Sequence, residues 1–267
     1  MGNSDGRFVW YELATADVEA AKAFYSSVVG WGTAEASMPG SVYTQFTAKG
    51  IPVAGLMKLS PDASRTGAAP QWIGFVGVDD VDAAVGRVRQ LGGTVHVPPV
   101  DIPNVTRFSI IGDPQLAVLA LVKSPKGGHE RSAQLGGPAR VSWHELPATD
   151  GESAFAFYSA LLGWAKADAQ VEPTGIYQQF SAGGEAIGAI CTKSETTPWC
   201  LWLYYFNVVD LDAAAKRVQT GGGKILYGPV TVTGGARIVH CVDPEGAVFA
   251  LIDTSVRVTI GCYSPRS

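Results

Sequence analysis

Residues 8–31 are "FVWYELATADVEAAKAFYSSVVGW", and residues 141–164 repeat this stretch as "VSWHELPATDGESAFAFYSALLGW". The two segments match without a gap at 12 of 24 positions. Each starts with the alternation of apolar and polar residues that is typical of a strand, and each continues through an Asp that is well placed to cap a helix. A strand and helix repeated at this spacing predict a duplicated domain.

The repeat continues beyond these opening segments. Residues 42–57, 72–93 and 107–121 match residues 176–190, 202–223 and 237–251, respectively. A stretch rich in Gly and Ser separates the two copies, as is typical of a linker. We therefore predict an N-terminal domain at 1–123, a linker at 124–140, a C-terminal domain at 141–254 and a tail at 255–267.

The composition indicates an ordered globular protein, with 46% hydrophobic and 16% charged residues. A net charge of −4 and a pI near 5.6 argue against a nucleic-acid partner, which would favour a basic surface. No apolar run approaches the roughly 18 residues of a membrane span, and the first residues lack the apolar segment of a secretory signal. We therefore expect a cytoplasmic protein with neither a nucleic-acid nor a membrane partner.

Strands and helices follow the same order in both copies. In the first copy, a strand at 8–13 precedes a helix, and two short strands follow around 42–48 and 52–59. A second strand at 71–78 and a second helix at 81–91 begin the series again. We predict an α+β fold of two tandem domains, each with two βαβββ modules that form one curved sheet. Helices would cover its outer face, and the inner face would form a cup.

Three segments resemble the vicinal oxygen chelate superfamily: "TADVEAAKAFYSSVVGW", "VDDVDAA" and "DPEGAVFAL". That superfamily includes glyoxalase I, extradiol dioxygenases, fosfomycin-resistance enzymes and bleomycin-binding proteins. The resemblance covers nearly the whole chain, twice, and is strongest to the actinobacterial double-domain, glyoxalase-like proteins. It implies the fold predicted above. Because one fold serves many chemistries, it does not imply a single function.

Metal-binding members of this family hold a divalent ion in the cup with four side chains. The resemblance places those positions at Trp10, Gly55, Ile73 and Ala120 in the first copy, and at Trp143, Gly188, Leu203 and Ala250 in the second. None of these side chains offers a lone pair to a cation, whereas such sites need N, S or O ligands. We therefore expect no metal ion and no other cofactor.

The resemblance also indicates which side chains face the cups. Trp10 and Trp143 take the first ligand position, and Glu12 and Glu145 follow two residues later on the same strand face. An alternative is that each Trp is packed and each Glu bonds to nearby backbone amides. The predicted ligand-binding residues are Trp10, Glu12, Gln45, Gly55 and Ile110 in the first cup, and Trp143, Gln179 and Gly188 in the second. Tyr43 and Tyr177 share the parity of the glutamines.

The two cups differ at one position that could matter for chemistry. His240 in the second copy aligns with Ile110 in the first. The second cup could therefore pair Glu145 with His240 as catalytic acid and base, since a histidine titrates near neutral pH. The alternative is a histidine hydrogen-bonded into the sheet. We expect the second cup to be the better equipped for chemistry.

Other polar and thiol residues are expected to be structural. Arg107 and Arg237 have the opposite parity to His240 and are expected to form ion pairs. All four cysteines lie in the second half without a CxxC pair, which predicts reduced thiols. Cys241 is expected in the core.

Three classes of function remain open. The protein could sequester an antibiotic or secondary metabolite without a metal. It could instead be a metal-independent isomerase, cyclase or lyase that uses Glu145 and His240, or a metal-dependent glyoxalase or dioxygenase with unfamiliar ligands. An indole face beside a carboxylate favours a ring-containing ligand that is neutral or basic. The internal repeat is compatible with a monomer or a homodimer.

Overall fold

The computed structural model describes residues 6–38, 41–60, 65, 67–123, 139–172 and 175–253. Most of the predicted linker and the predicted tail lie outside these residues, so the domain boundaries stay predictions. Among the described residues, no helix has the length and apolar character needed to cross a bilayer.

The first half of the chain forms one mixed sheet with two helices. Its elements are β1 (Phe8–Thr15), α1 (Val18–Val29), β2 (Gly32–Met38), β3 (Ser41–Ala48), β4 (Ile51–Lys58), β5 (Gln71–Val78), α2 (Val81–Gln90), β6 (Thr94–Ile102), β7 (Thr106–Gly112) and β8 (Val118–Lys123). The strand order is β2-β3-β4-β1-β5-β8-β7-β6. β1 runs parallel to β4 and antiparallel to β5, which joins the two βαβββ modules at the centre of the sheet.

The second half repeats this arrangement. Its elements are β9 (Val141–Ala148), α3 (Gly151–Leu162), β10 (Ala165–Glu172), β11 (Gly175–Ala182), β12 (Glu185–Thr192), β13 (Leu203–Val208), α4 (Leu211–Thr220), β14 (Lys224–Thr231), β15 (Arg237–Val242) and β16 (Val248–Asp253). The strand order is β10-β11-β12-β9-β13-β16-β15-β14. The predicted α+β class and the two βαβββ modules per half are confirmed. Strands β2 and β10, whose residues are largely polar, were not located by apolar periodicity.

Each helix begins where an Asp side chain accepts a backbone N–H, as predicted. The capping residues are Asp17, Asp80, Asp150 and Asp210. A cap of this kind typically stabilises a helix by about 1 kcal/mol. Helices α1 and α3 end at glycines in the left-handed conformation, where a side chain would be strained.

The helix-bearing faces of the two halves pack against each other through reciprocal hydrogen bonds. The Tyr25 hydroxyl donates to Asp243 in the other half at 3.0 Å. In the same way, the Tyr158 hydroxyl donates to Asp113 at 3.0 Å. Each tyrosine also accepts an indole N–H from its own half, at 2.9 Å from Trp72 and at 3.0 Å from Trp202. The apolar residues around them form one core cluster with members from both halves.

His144 lies in this interface and not in a cup, as its parity indicated. Its ring stacks on Phe8 with the ring centroids 3.9 Å apart. Nε2 lies 2.6 Å from the Tyr11 hydroxyl, and Nδ1 lies 2.5 Å from the carbonyl oxygen of Ile187. Because burial disfavours the charged ring, the pKa of His144 falls to about 3. A neutral ring with Nδ1–H donating to Ile187 and Nε2 accepting from Tyr11 satisfies both contacts.

The thiols differ from the expectation at one residue. Cys241 is buried and free, as predicted for a core position, and Cys200 is also free. Cys191 is disulfide-bonded. The prediction that all four cysteines are reduced is therefore wrong for Cys191.

A Leu116→Gly variant is expected to be more stable than the wild type by about 1 kcal/mol. Leu116 has a φ of 74° and is 70% exposed, so its side chain gains little packing in a conformation that strains a Cβ. Gly246 occupies the matching turn of the second half with a φ of 103°. The free energy of unfolding from urea titration measures the effect. Gly246→Leu is the converse change and should lower stability, and a Leu116→Gly protein of reduced stability would contradict the strain argument.

Candidate functional site

The cup of the first half is built on a row of neighbouring residues across four strands. Glu12 on β1 lies opposite Gly55 on β4 and Ile73 on β5. Gly55 in turn lies opposite Gln45 on β3. Trp10, two residues before Glu12, lies opposite Phe75 on β5. We call this face, which lies opposite the domain interface, the N-terminal cup. The register brings Trp10, Glu12, Gln45 and Gly55 to one face, where the sequence predicted them.

One oxygen of Glu12 is hydrogen-bonded and the other is not. Oε1 accepts from the Tyr43 hydroxyl and from Trp10 Nε1, the latter at 3.2 Å. Trp10 Nε1 also lies 3.1 Å from the Tyr43 hydroxyl. Oε2 is buried and has no hydrogen-bond partner within the described part of the chain. Neither oxygen bonds to backbone, so the alternative of a carboxylate satisfied by backbone amides does not describe Glu12.

The environment of Glu12 disfavours its charge. Burial raises the pKa of the carboxyl from 4.5 to about 7, and the hydrogen bonds from Tyr43 and Trp10 oppose this shift. Only 9% of Glu12 is exposed. A buried acceptor without a donor costs about 1–3 kcal/mol, and more when it is charged. An unpartnered carboxyl oxygen at the wall of a cup is therefore a candidate contact for a bound molecule.

Gly55 makes room for this arrangement. A Cβ at this position would overlap the Tyr43 hydroxyl and would lie 2.8 Å from Glu12 Oε1. The missing side chain lets Tyr43 reach across the sheet to Glu12. Gly55 therefore belongs to the cup by shaping it.

The N-terminal cup is open enough for its lining to remain partly accessible. Trp10, Tyr43 and Gln45 are neither fully buried nor fully exposed, and neither are three apolar residues, Phe75, Phe108 and Ile110. The rings of Phe75 and Phe108 are tilted, with their centroids 6.0 Å apart. This lining offers flat apolar surfaces beside a single carboxyl group.

The cup of the second half, which we call the C-terminal cup, holds an internal hydrogen-bond network. The Tyr205 hydroxyl lies 2.9 Å from Glu145 Oε2 and 2.8 Å from His240 Nε2. Tyr177 also donates to Glu145 Oε2 at 3.2 Å and accepts from Trp143 Nε1 at 2.9 Å. Burial lowers the pKa of His240 to about 4. Glu145 and His240 thus share one network through Tyr205, which the sequence analysis did not single out.

The lining of the C-terminal cup is much less accessible than that of the N-terminal cup. Its side chains form a compact apolar cluster whose buried members include Trp143, Tyr177, Leu203 and Tyr205. Gln179 is buried as well, and its Nε2 has no partner in the described residues.

Gly188 does not lie in the C-terminal cup. It pairs with His144, whose side chain points to the domain interface, and a Cβ there would meet Phe180 of the core. Ala189 lies opposite Glu145 in its place. The expectation for Gly188 was wrong by one residue, because side chains alternate between the two faces of a strand.

Two substitutions explain the difference between the cups. Phe75 takes the place of Tyr205 opposite the Trp, and Ile110 takes the place of His240. Phe75 has no hydroxyl to offer to Glu12, so the oxygen that Tyr205 contacts in Glu145 stays unpartnered in Glu12. The aligned segments 72–78 and 202–208 contain this signal, which could have been found from the sequence.

A Phe75→Tyr variant is expected to transfer the second arrangement to the first cup. The new hydroxyl would donate to Glu12 Oε2, and a hydrogen bond to the charged form lowers a carboxyl pKa. NMR titration of Glu12 should therefore give a pKa below that of the wild type. Phe108→Tyr, which adds a hydroxyl farther from Glu12, is the matched control. An unchanged Glu12 pKa in Phe75→Tyr would mean that the vacancy at Oε2 has another cause.

Both arginines shared by the two copies form ion pairs, as expected. Arg107 lies 2.7 Å from Asp82 and 3.0 Å from Asp101. Arg237 lies 2.8 Å from Asp212. Neither residue contributes a cation to a cup.

The residues of the cups do not fit the metal site of the family. The four family positions in each cup carry side chains without a free donor pair, with Ala189 in place of Gly188. Across the described ranges, no three His, Cys, Asp or Glu residues are grouped so that they could hold a metal ion. No step of a mechanism is therefore assigned to a metal.

Comparison with known proteins agrees with the fold and the repeat. Residues 7–120 and 140–251 each match the family model of the Glyoxalase/Bleomycin resistance protein/Dioxygenase superfamily. The chain belongs to this superfamily.

Relatives of similar length extend this comparison. CFP32 of Mycobacterium bovis, named as a glyoxylase, is 32% identical over 245 residues, which covers 91% of this chain and 93% of that protein. The anthracycline biosynthesis protein DauV of Streptomyces sp. strain C5 is 31% identical over 264 residues and covers 93% of both chains.

Solved structures show the same fold at low sequence identity. The Mn(II)-bound glyoxalase from Novosphingobium aromaticivorans superposes with a TM-score of 0.60 at 19% identity, covering 94% of this chain and 82% of that one. The 2,3-dioxygenase LapB from Pseudomonas sp. KL28 superposes with a TM-score of 0.61 at 11% identity, covering 99% and 98%. At these identities the likeness concerns the fold alone.

Proposed function

We propose that the protein binds a small, ring-containing secondary metabolite in the N-terminal cup, without a metal ion. The observation that carries this proposal is the buried, unpartnered Oε2 of Glu12 in a cup with an accessible lining. Trp10, Tyr43, Phe75 and Phe108 supply aromatic surface for a ring. The second strand face therefore combines one polar anchor with apolar walls, as small-molecule sites commonly do.

The relatives support a secondary metabolite as the ligand. DauV, and DnrV of Streptomyces peucetius at 31% identity, are both named as anthracycline biosynthesis proteins. An anthracycline-type ring compound would match the aromatic lining. The net charge of −4 favours a neutral or basic molecule over an anion. Sequestration of such a molecule in the cytoplasm, by a monomer or a homodimer, completes the proposal.

A second candidate is metal-independent proton transfer, as in an isomerase, cyclase or lyase. A carboxyl with a pKa of about 7 can both accept and return a proton near neutral pH, and Glu12 has this property. Glu12 would remove a proton beside a carbonyl group of the ligand and return it at another atom. Glu145 and His240 remain alternative residues for this role, joined by Tyr205.

Calorimetric titration of chelator-treated protein with 2-naphthol, a hydroxylated two-ring probe, tests the binding proposal. We expect saturable binding that is unchanged by the chelator, together with a metal content far below one ion per chain. Recovery of the unchanged probe supports binding, and an altered probe supports the enzyme. Binding that disappears with the chelator and returns with a divalent ion would contradict the proposal.

A further inference from the structure

The unpartnered oxygen of Glu12 constrains the group that it binds, and this inference rests on the proposed function of the N-terminal cup. We propose that the ligand is anchored by a hydroxyl carried on a ring, as in a phenol or an enol, which donates its proton to Oε2 of Glu12. The ring itself would lie against Phe75 and Phe108.

The number of available acceptors favours a hydroxyl over an ammonium group. Oε1 of Glu12 already accepts from Tyr43 and Trp10, so Oε2 is the acceptor that Glu12 can offer to a ligand. A hydroxyl has one proton to donate, whereas an ammonium group has three. Two donors of a bound ammonium would face largely apolar walls, and a buried donor without an acceptor is costly.

The walls around Glu12 are apolar on the side of β5. Ile73 lies opposite Glu12, and Phe75 lies two residues farther along the same strand. Ala120 and Ile110 continue this apolar surface onto β8 and β7. A hydroxyl attached to a flat ring satisfies Oε2 and places carbon against these side chains.

The character of Glu12 argues against an anionic ligand. A carboxylate or phosphate placed against Oε2 would bring two acceptors together without a proton between them. Neither Arg107 nor Arg237 is available to compensate, because both are paired with aspartates. The hydroxyl of a phenol or enol is a stronger donor than that of an alkyl alcohol and suits an acceptor in an apolar site.

Three probes that share one ring system separate the possible anchors: 2-naphthol, 2-methoxynaphthalene and 2-naphthylmethylamine. They carry a hydroxyl, an acceptor without a donor, and an ammonium at neutral pH. We expect calorimetry to show that 2-naphthol binds at least about tenfold more tightly than either of the others, since a hydrogen bond to a charged group is worth about 1.5–3 kcal/mol. Glu12→Gln should reduce this preference to less than about threefold. Glu19→Gln, a matched change on the exposed surface of α1, should leave it intact.

The outcomes distinguish this inference from the proposed function. Tightest binding of 2-naphthylmethylamine would overturn the hydroxyl anchor in favour of a cation site. Equal binding of all three probes, or a preference that survives in Glu12→Gln, would also overturn it. In each of these cases the binding function stands. If none of the probes binds, both the proposed function and the inference fall.

Discussion

A Glu12→Gln variant is expected to be more stable than the wild-type protein by about 3 kcal/mol above pH 7, and equally stable near pH 4.5. The pKa of Glu12 rises from 4.5 to about 7 on folding because the carboxyl is buried. The folded state therefore binds this proton more tightly than the unfolded state. The resulting stability is fully present below pH 4.5 and is lost as the pH rises through 7, at about 1.4 kcal/mol for each unit of pKa difference.

Urea unfolding of both proteins at pH 5 and pH 8 measures this difference directly. Glutamine keeps an acceptor for Tyr43 and Trp10 but cannot ionise, so the variant escapes the loss. Contributions from the buried histidines are common to both proteins and cancel in the comparison. Glu19→Gln serves as the control and should show no such difference between the two pH values. A variant that is less stable than the wild type at pH 8 would show that the ionised carboxylate is well satisfied, contrary to the geometry.

A residue that weakens its own fold at neutral pH indicates a functional requirement. Stability is commonly sacrificed where a site must hold a group ready for a ligand. Glu145 provides the contrast, since its carboxyl oxygen contacts the hydroxyls of Tyr177 and Tyr205. The same residue type on equivalent strands is thus supported in one cup and left without a partner in the other.

A Phe8→Ala variant is expected to lose about 3–5 kcal/mol of stability, the usual effect of removing a buried aromatic ring. Phe8 is buried and stacks on His144, and its ring also lies close to Trp164 and Trp202. All three of these partners belong to the other half of the chain. The change should therefore destabilise both halves together, seen as a single unfolding transition at lower urea concentration.

Ile51→Ala is the matched control for Phe8→Ala. Ile51 is 54% exposed on β4, and substitutions at exposed positions usually change stability by less than about 0.5 kcal/mol. Two separate transitions in Phe8→Ala, with one unchanged from the wild type, would mean that the halves fold independently and would contradict the shared core.

The repeated segments predicted the fold because they contain residues with two different tasks. Trp10 and Glu12 face a cup, as the strand parity indicated. Tyr25 and Trp31, which recur as Tyr158 and Trp164, also contact the opposite half. Each copy keeps these residues because each copy packs against the other. Periodicity within one copy could not show that second set of contacts.

The sequence could not predict which cup is open, because the answer depends on side chains from other strands. Glu12 and Glu145 are equivalent in the repeat, and the conspicuous difference was His240. The structure shows that Tyr205 matters as much, since it joins Glu145 to His240, whereas Phe75 leaves Glu12 without that contact. The misplaced Gly188 has a simpler cause: a shift of one residue exchanges the two faces of a strand.

The central claim is that the N-terminal cup, anchored by Glu12, is the ligand site. Calorimetric titration of 2-naphthol into the wild type, Glu12→Gln and Glu145→Gln tests it most directly, because both variants make the same change at equivalent positions. The account predicts one ligand per chain, a loss of at least about tenfold in affinity for Glu12→Gln, and affinity within about twofold of the wild type for Glu145→Gln. A loss of affinity confined to Glu145→Gln, or an equal loss in both variants, would contradict it.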